Sequence, residues 1–245
     1  MKKTVLGVAA LAASAVATPA LADPITLDSS DIGTSFTIDF DGFADDAGNT
    51  VENLSSSITF TLEEVTGDTY SFSYQVDNTT SGGLTSNLSS FAFNVDPDIS
   101  GANVDGAYSF AFVTDGQASD PSYPNQIGAV DVCFKAANSG SCSNSGGVSE
   151  GQSGSGTLDL YFSPDASEIT LSDFFVRYQG ITGAGNVTSA SGQGTTTSGS
   201  TSGTQVPAPG MLGLLGLALF GLAAMRGRRR RKAPAEDYGM QPAFA

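Results

Sequence analysis

Apolar residues fall at every second position in eight separate runs between residues 35 and 179. The runs are SFTIDF, SITFTLEEV, TYSFSYQV, SSFAFNV, AYSFAFV, AVDVCFKA, GTLDLYF and ITLSDFFVRYQ. A strand turns successive side chains to opposite faces, so this period places one face of each run against a core. Thr, Val, Ile, Phe and Tyr supply the strand propensity. Turn residues punctuate the runs: Asp41-Gly42, Gly67-Asp68, Asp96-Pro97, Asp105-Gly106, Asp115-Gly116 and Ser163-Pro164. Nothing between residues 23 and 205 sustains a helical period for three turns. The pattern predicts an all-β fold, an antiparallel β-sandwich of jelly-roll or Ig-like type, with a closed barrel as the competing architecture. Phe36, Phe40, Phe60, Phe72, Phe91, Phe93, Phe110, Phe112, Phe162 and Phe174 are its expected inward residues.

The two ends differ from this middle. Lys2 and Lys3 precede an unbroken run of small and apolar residues from Val5 to Ala17. Ala20-Leu21-Ala22 then forms a small-x-small cleavage site before Asp23, with Pro19 breaking the helix ahead of it. These are the parts of a secretory signal peptide over residues 1–22. At the other end Gly210 to Met225 reads GMLGLLGLALFGLAAM. With Val206 to Pro209 it makes about twenty residues without a charge, near the minimum for one transmembrane helix. It has no polar stripe of the kind a soluble core helix shows. Arg226, Arg228, Arg229, Arg230, Arg231 and Lys232 follow at once, a stop-transfer cluster that stays cytoplasmic by the positive-inside rule. Residues 233–245 are then a cytoplasmic tail, and residues 23–205 lie outside. Of these, 23–182 form the predicted ectodomain. The run 183–205 is almost wholly Gly, Ser, Thr, Ala and Gln, and its composition predicts a flexible linker.

Between Asp23 and Gln205 only Lys135 and Arg177 are basic, against twenty-three carboxylates, a net charge of −21. Such a field repels nucleic acid and anionic polymers. An even cysteine count in an exported chain favours a disulfide, Cys133 with Cys142, across the polar turn FKAANSGS. The alternatives are two free thiols or a metal pair, for which no His is present to complete a zinc site. Asp39, Asp41, Asp45 and Asp46 sit with Asn49 in DFDGFADDAGN, and Asn94, Asp96, Asp98 and Asp105 make a second acidic group. Clustered oxygens beside a Gly turn suit calcium, although Gly42 falls too early for an EF-hand loop. A solvated acidic loop is the alternative, and no other cofactor is expected. Without His a Ser-His-Asp or Cys-His arrangement is impossible. Paired carboxylates suffice for a glycosidase, but in so acidic a chain they identify nothing. No catalytic residues, and no enzyme, are expected.

Val206-Pro207-Ala208-Pro209, the short helix and the basic cluster together resemble the PEP-CTERM sorting tail of Gram-negative bacteria. Val206, Pro207 and Pro209 match its Val-Pro-Glu-Pro-like motif. Ala208 stands where Glu is usual, and thirteen residues follow Lys232 where members usually stop. The resemblance covers residues 206–232. The run TLSDFFVRYQGI is similar to the ectodomains of the cistern group within that family. The resemblance implies processing near the proline motif by exosortase, a membrane-embedded cysteine transpeptidase-like enzyme, and association with exopolysaccharide and biofilm matrix. Two prolines keep that segment extended and without amide donors, which suits a processing site; a plain boundary between linker and helix also favours proline. The expected protein is therefore held first in the inner membrane with a periplasmic ectodomain. It then passes to the cell surface or extracellular matrix, in a structural or interaction role. The alternative is a glycan-binding adhesin on the same anchor, whose face would be built from exposed Tyr123, Tyr161 and Tyr178. A carbohydrate-active enzyme is the third reading.

Overall fold

The computed structural model describes residues 22–45, 49–114, 123–138, 142 and 145–199. All belong to the first of two units, Met1–Thr201 and Ser202–Ala245. The described residues form twelve strands and one short 3-10 turn, Ser29–Asp31. The first six strands are β1 (Ile25–Asp28), β2 (Ser35–Phe43), β3 (Thr50–Thr66), β4 (Thr69–Asn78), β5 (Thr85–Asp96) and β6 (Ile99–Gly106). The remainder are β7 (Phe110–Val113), β8 (Val132–Lys135), β9 (Val148–Ser149), β10 (Ser153–Phe162), β11 (Glu168–Thr182) and β12 (Ser189–Gly199). All eight alternating runs lie in or around strands; β1, β6, β9 and β12 are additional.

The fold is all-β and every ladder is antiparallel. The strands make one sheet in the order β6-β10-β4-β3-β2-β12-β11-β5-β8-β7, with β1 added to β11 and β9 to β5. The sheet curls nearly into a barrel. Side chains from distant positions in this order meet inside it: the ring of Phe60 on β3 lies 5.8 Å from that of Phe91 and 6.1 Å from that of Phe93, both on β5. The walls therefore face each other across the core as the layers of a sandwich would. Phe91 is the hub, with the rings of Phe134, Tyr108 and Tyr74 at 4.9, 5.1 and 5.6 Å. Where β4, β5 and β9 end together, the buried Asn78 amide donates to the Val148 carbonyl (2.9 Å) and Ser86 Oγ (3.1 Å). A buried amide needs such partners, and these stitch that end of the wall.

The alternation in β11 changes parity twice, the second time between Gln179 and Thr182, where Gly180 has a positive φ and Ile181 returns to the core. Ile169 and Leu171 point inward, and so do Phe174, Val176 and Tyr178. The first shift is a bulge between Ser172 and Phe175, where Asp173 takes a left-handed φ of 50°. As a result Phe175 and Arg177 face outward. A similar correction applies to Phe110 and Phe112. Register sets them opposite Lys135 and Cys133, while Ala111 and Val113 are the β7 residues that pack on the main core. Both are half-buried on the outer face. Asp41-Gly42, expected as a turn, lies within β2: the ladder with β12 runs on through Gly42 opposite Gly192, and Leu54 packs over Gly42 where the β2–β3 register shifts.

The linker expected at 183–205 is corrected most. Residues 189–199 are β12, hydrogen-bonded to β2 on one side and β11 on the other. Composition misled because this strand needs no bulk of its own. A Cβ on Gly192 would lie 2.7 Å from Val176 Cγ2, and one on Gly194 would lie 2.5 Å from Ile38 Cγ2 and 2.9 Å from Phe174 Cβ. Large side chains of the flanking strands lean over β12, and only glycine leaves room for them.

Tyr178 gives the core a pH limit. Its hydroxyl shares a 2.7 Å hydrogen bond with Ser56 Oγ and lies 3.4 Å from the Phe40 carbonyl. Burial pushes the phenol far above its ordinary value, while the Ser56 bond opposes this in part. An acid whose folded pKa is raised stabilises the fold fully below its unfolded pKa, near 10, and loses that contribution as pH rises toward the folded value. Denaturant titrations at pH 9, 10 and 11 should show stability falling more steeply in the wild type than in Tyr178→Phe. The difference should be about 1.4 kcal/mol per pH unit above 10. Parallel curves would mean the phenol titrates normally.

Candidate functional site

The outward residues of β5, β8, β11 and β12 are covered by a second layer. Ala92, Cys133 and Phe175 pack with Tyr123, Val130 and Cys142 in a small apolar cluster separate from the main core. Residues 123–131 form a strap over it. Tyr123 and Gly128 exchange backbone hydrogen bonds of 2.6 and 3.1 Å around a tight turn. Asn125 and Gln126 in that turn both take left-handed φ, 59° and 65°. Asp131 fixes one end of the strap: its N–H donates to Asn94 Oδ1 (3.2 Å) and its carboxylate accepts from the Val95 N–H (2.8 Å). At the other end the Gln126 amide donates to the Asp45 carbonyl at 3.1 Å. The strap thus crosses the wall from β5 to the turn after β2.

Cys133 and Cys142 form the disulfide, with Cα atoms 6.2 Å apart. Cys133 is in β8, whereas Cys142 lies outside any strand, so the bond ties a loop down onto the outer face. Both sulfurs are buried in the second cluster beside Tyr123. Ser90 connects the parts, bonding to the Tyr123 hydroxyl (3.2 Å) and donating to the Cys142 carbonyl.

Arg177 lies beneath the strap, 6 % exposed. Its guanidinium donates to Asn125 Oδ1, to Ser191 Oγ at 3.2 Å and to Ser189 Oγ at 2.8 Å. Among the described residues its Nε finds no acceptor. Burial lowers its pKa, and Tyr123 acts in the opposite direction. Lys135 is 3 % exposed, with its ammonium 5.5 Å from the Phe112 ring centroid, and burial lowers its pKa too. The two cations of residues 23–205 are therefore both withdrawn from the surface. What the wall shows to water is carboxylates and hydroxyls, the latter often paired across strands, as in Ser35 with Thr61 (2.7 Å) and Thr37 with Thr59 (2.8 Å). Sequence reasoning missed the Arg177 site because its partners Asn125, Ser189 and Ser191 carry no motif. The only signal was a lone arginine in an apolar strand.

The other sequence-derived candidates are dispersed. Asp39 and Asp41 are outward residues of β2 facing Ser57 and Ser55 of β3, Asp45 follows in the turn with φ 69°, and Asp46 lies outside the described residues. Among the described residues no group of three or more His, Cys, Asp or Glu gathers as a metal set. In the second acidic group Asn94 is engaged instead with Asp173, its amide donating to Oδ2 at 3.0 Å. Tyr123 and Tyr178 are 1 % and 0 % exposed, so the aromatic glycan face expected from them does not form. Tyr161 alone remains half-exposed.

Ala22 and Asp23 run beside β12. The Ala22 N–H donates to the Gly194 carbonyl (2.8 Å), and the Asp23 N–H points to Thr196 Oγ1 (3.4 Å). A peptidase cutting between them would have to act before the wall closes. Ala20, the motif Val206-Pro207-Ala208-Pro209 and the basic residues Arg226 to Lys232 lie outside the described residues. Among the described residues no helix is long and apolar enough to cross a membrane. No protein-family model matches the chain, and no curated protein matches it.

Proposed function

We propose that this chain is an exported surface or matrix protein, delivered by a cleaved signal peptide and sorted through its C-terminal tail by exosortase. Its part outside the membrane is a sandwich-like β-domain with a structural or interaction role. The observation that carries this reading is the order of parts along the chain. One β-domain, from Ile25 to Gly199, is flanked by the signal sequence on one side and by the proline motif, apolar run and basic cluster on the other. The buried Cys133–Cys142 disulfide suits an oxidising compartment outside the cytoplasm. An outer surface of carboxylates and paired hydroxyls, with its cations buried, suits a hydrated matrix and repels nucleic acid. Only six residues of the sequence, 200–205, separate β12 from Val206.

Fractionation followed by terminal mass spectrometry tests the proposal. The expected surface-associated form starts at Asp23 and ends near Pro207. Finding only a chain ending at Ala245, confined to the inner membrane, would defeat it.

A further inference from the structure

We propose that β12 is an exchangeable strand, and that the slot it fills between β2 and β11 is a binding site for β12 of a second copy of this chain. The inference does not depend on how the tail is processed. It rests first on an unusual placement. The last strand of the domain is not at an edge but in the middle of the sheet, paired on both sides. With β12 withdrawn, β2 and β11 would each present an unpaired edge, the kind of surface that recruits another strand. The occupant such a slot accepts is already visible, because it is this chain's own Gly/Ser/Thr strand.

The cost of exchange is small. Ala190 is the only apolar side chain that β12 buries among its described residues. Everything else it contributes is backbone pairing, the serines that meet Arg177, and the space at Gly192 and Gly194. All of these are remade when an identical strand enters from a neighbour. What is given up is the turn between β11 and β12, held by two backbone bonds, Val187 N to Ala184 O (3.1 Å) and Ile181 N to Thr188 O (3.0 Å). Gly183 and Gly185 give this turn its positive φ values, 86° and 63°, and also let it straighten. Exchange of one identical element between copies is a low-cost route to association. Closure within one chain competes at an effective concentration of the order of millimolar, so the exchanged form grows with the density of copies.

Asp39 and Thr195 are register partners across β2 and β12, with Thr195 Oγ1 3.3 Å from the Asp39 carbonyl. Full-length chains carrying Asp39→Cys and Thr195→Cys separately, with different tags, are co-expressed and run on non-reducing gels. The expected result is a disulfide-linked mixed dimer that rises with expression level, several-fold above the control pair Thr37→Cys and Thr59→Cys on separate chains. That control sits within the β2–β3 hairpin. Asp41→Cys with Gln193→Cys repeats the test at a second register pair. If both β12 pairs link only when placed in the same chain, exchange is overturned. If they link in neither arrangement, the slot does not hold β12 and the proposal falls as well.

Discussion

Gly194→Val should unfold this domain well below the wild-type melting temperature, whereas Thr195→Val, one residue along, should leave it unchanged. A Cβ at position 194 meets Ile38 and Phe174 inside van der Waals range. Neither neighbour is free to withdraw, since both belong to the main core. Overpacking of this kind costs about 1–3 kcal/mol, and the branched side chain puts the change at the upper end. In a domain of this size about 3 kcal/mol corresponds to a fall of roughly 6–12 °C. Thr195 is exposed, and a surface substitution there is expected to stay within about 0.5 kcal/mol. The pair separates two accounts of residues 189–199. In a linker both changes are silent; in a central strand only the glycine is sensitive. Thermal melts of the two variants, side by side, decide it.

Phe91→Ala should have a still larger effect. Phe91 is 1 % exposed and its ring meets those of Phe60, Tyr74, Phe93, Tyr108 and Phe134, which come from β3, β4, β5, the segment before β7, and β8. Truncating a buried Phe removes its transfer energy and leaves a cavity, together about 3–5 kcal/mol. The surrounding rings are themselves held by facing walls and cannot collapse into the space, which favours the upper part of that range. Phe91→Leu, which keeps most of the volume, should cost only about 1–2 kcal/mol. Equilibrium urea denaturation measures both. Equal losses for Ala and Leu would show that the ring contacts, rather than the filled volume, hold the two walls together.

What could be read from the sequence follows from how each strand advertises itself. Strands such as β4 and β10 carry Tyr or Phe, Val and Leu on one face and Ser, Thr or Asp on the other, so period two alone reveals them. β12 carries its information in its neighbours: Gly192 and Gly194 have meaning only once Val176, Ile38 and Phe174 are placed over them. The parity change at Asp173 was hidden for a related reason, because the Phe174-Phe175 doublet fits either phase until the bulge assigns one ring to each layer. The strap site was the least legible part. Arg177 was visible as an isolated cation, but Asn125, Ser189 and Ser191 come from a turn and a low-complexity strand. Tyr123 and Tyr178 were misplaced as surface groups because tyrosine next to polar residues reads equally as a wet face or as a buried ring with one satisfied hydroxyl.

The position of β12 also decides how the domain would respond to tension. A pull on the chain beyond Gly199 runs along the strand axis, while the hydrogen bonds to β2 and β11 lie across it. The two ladders are therefore loaded together in shear, and no bond at an exposed edge can be peeled open first. If the C-terminal side is where this protein is held, a rapid pull enters the domain through a strand paired on both sides and should be resisted better than one entering through β6 or β7, while slow exchange of β12 between neighbouring copies stays open.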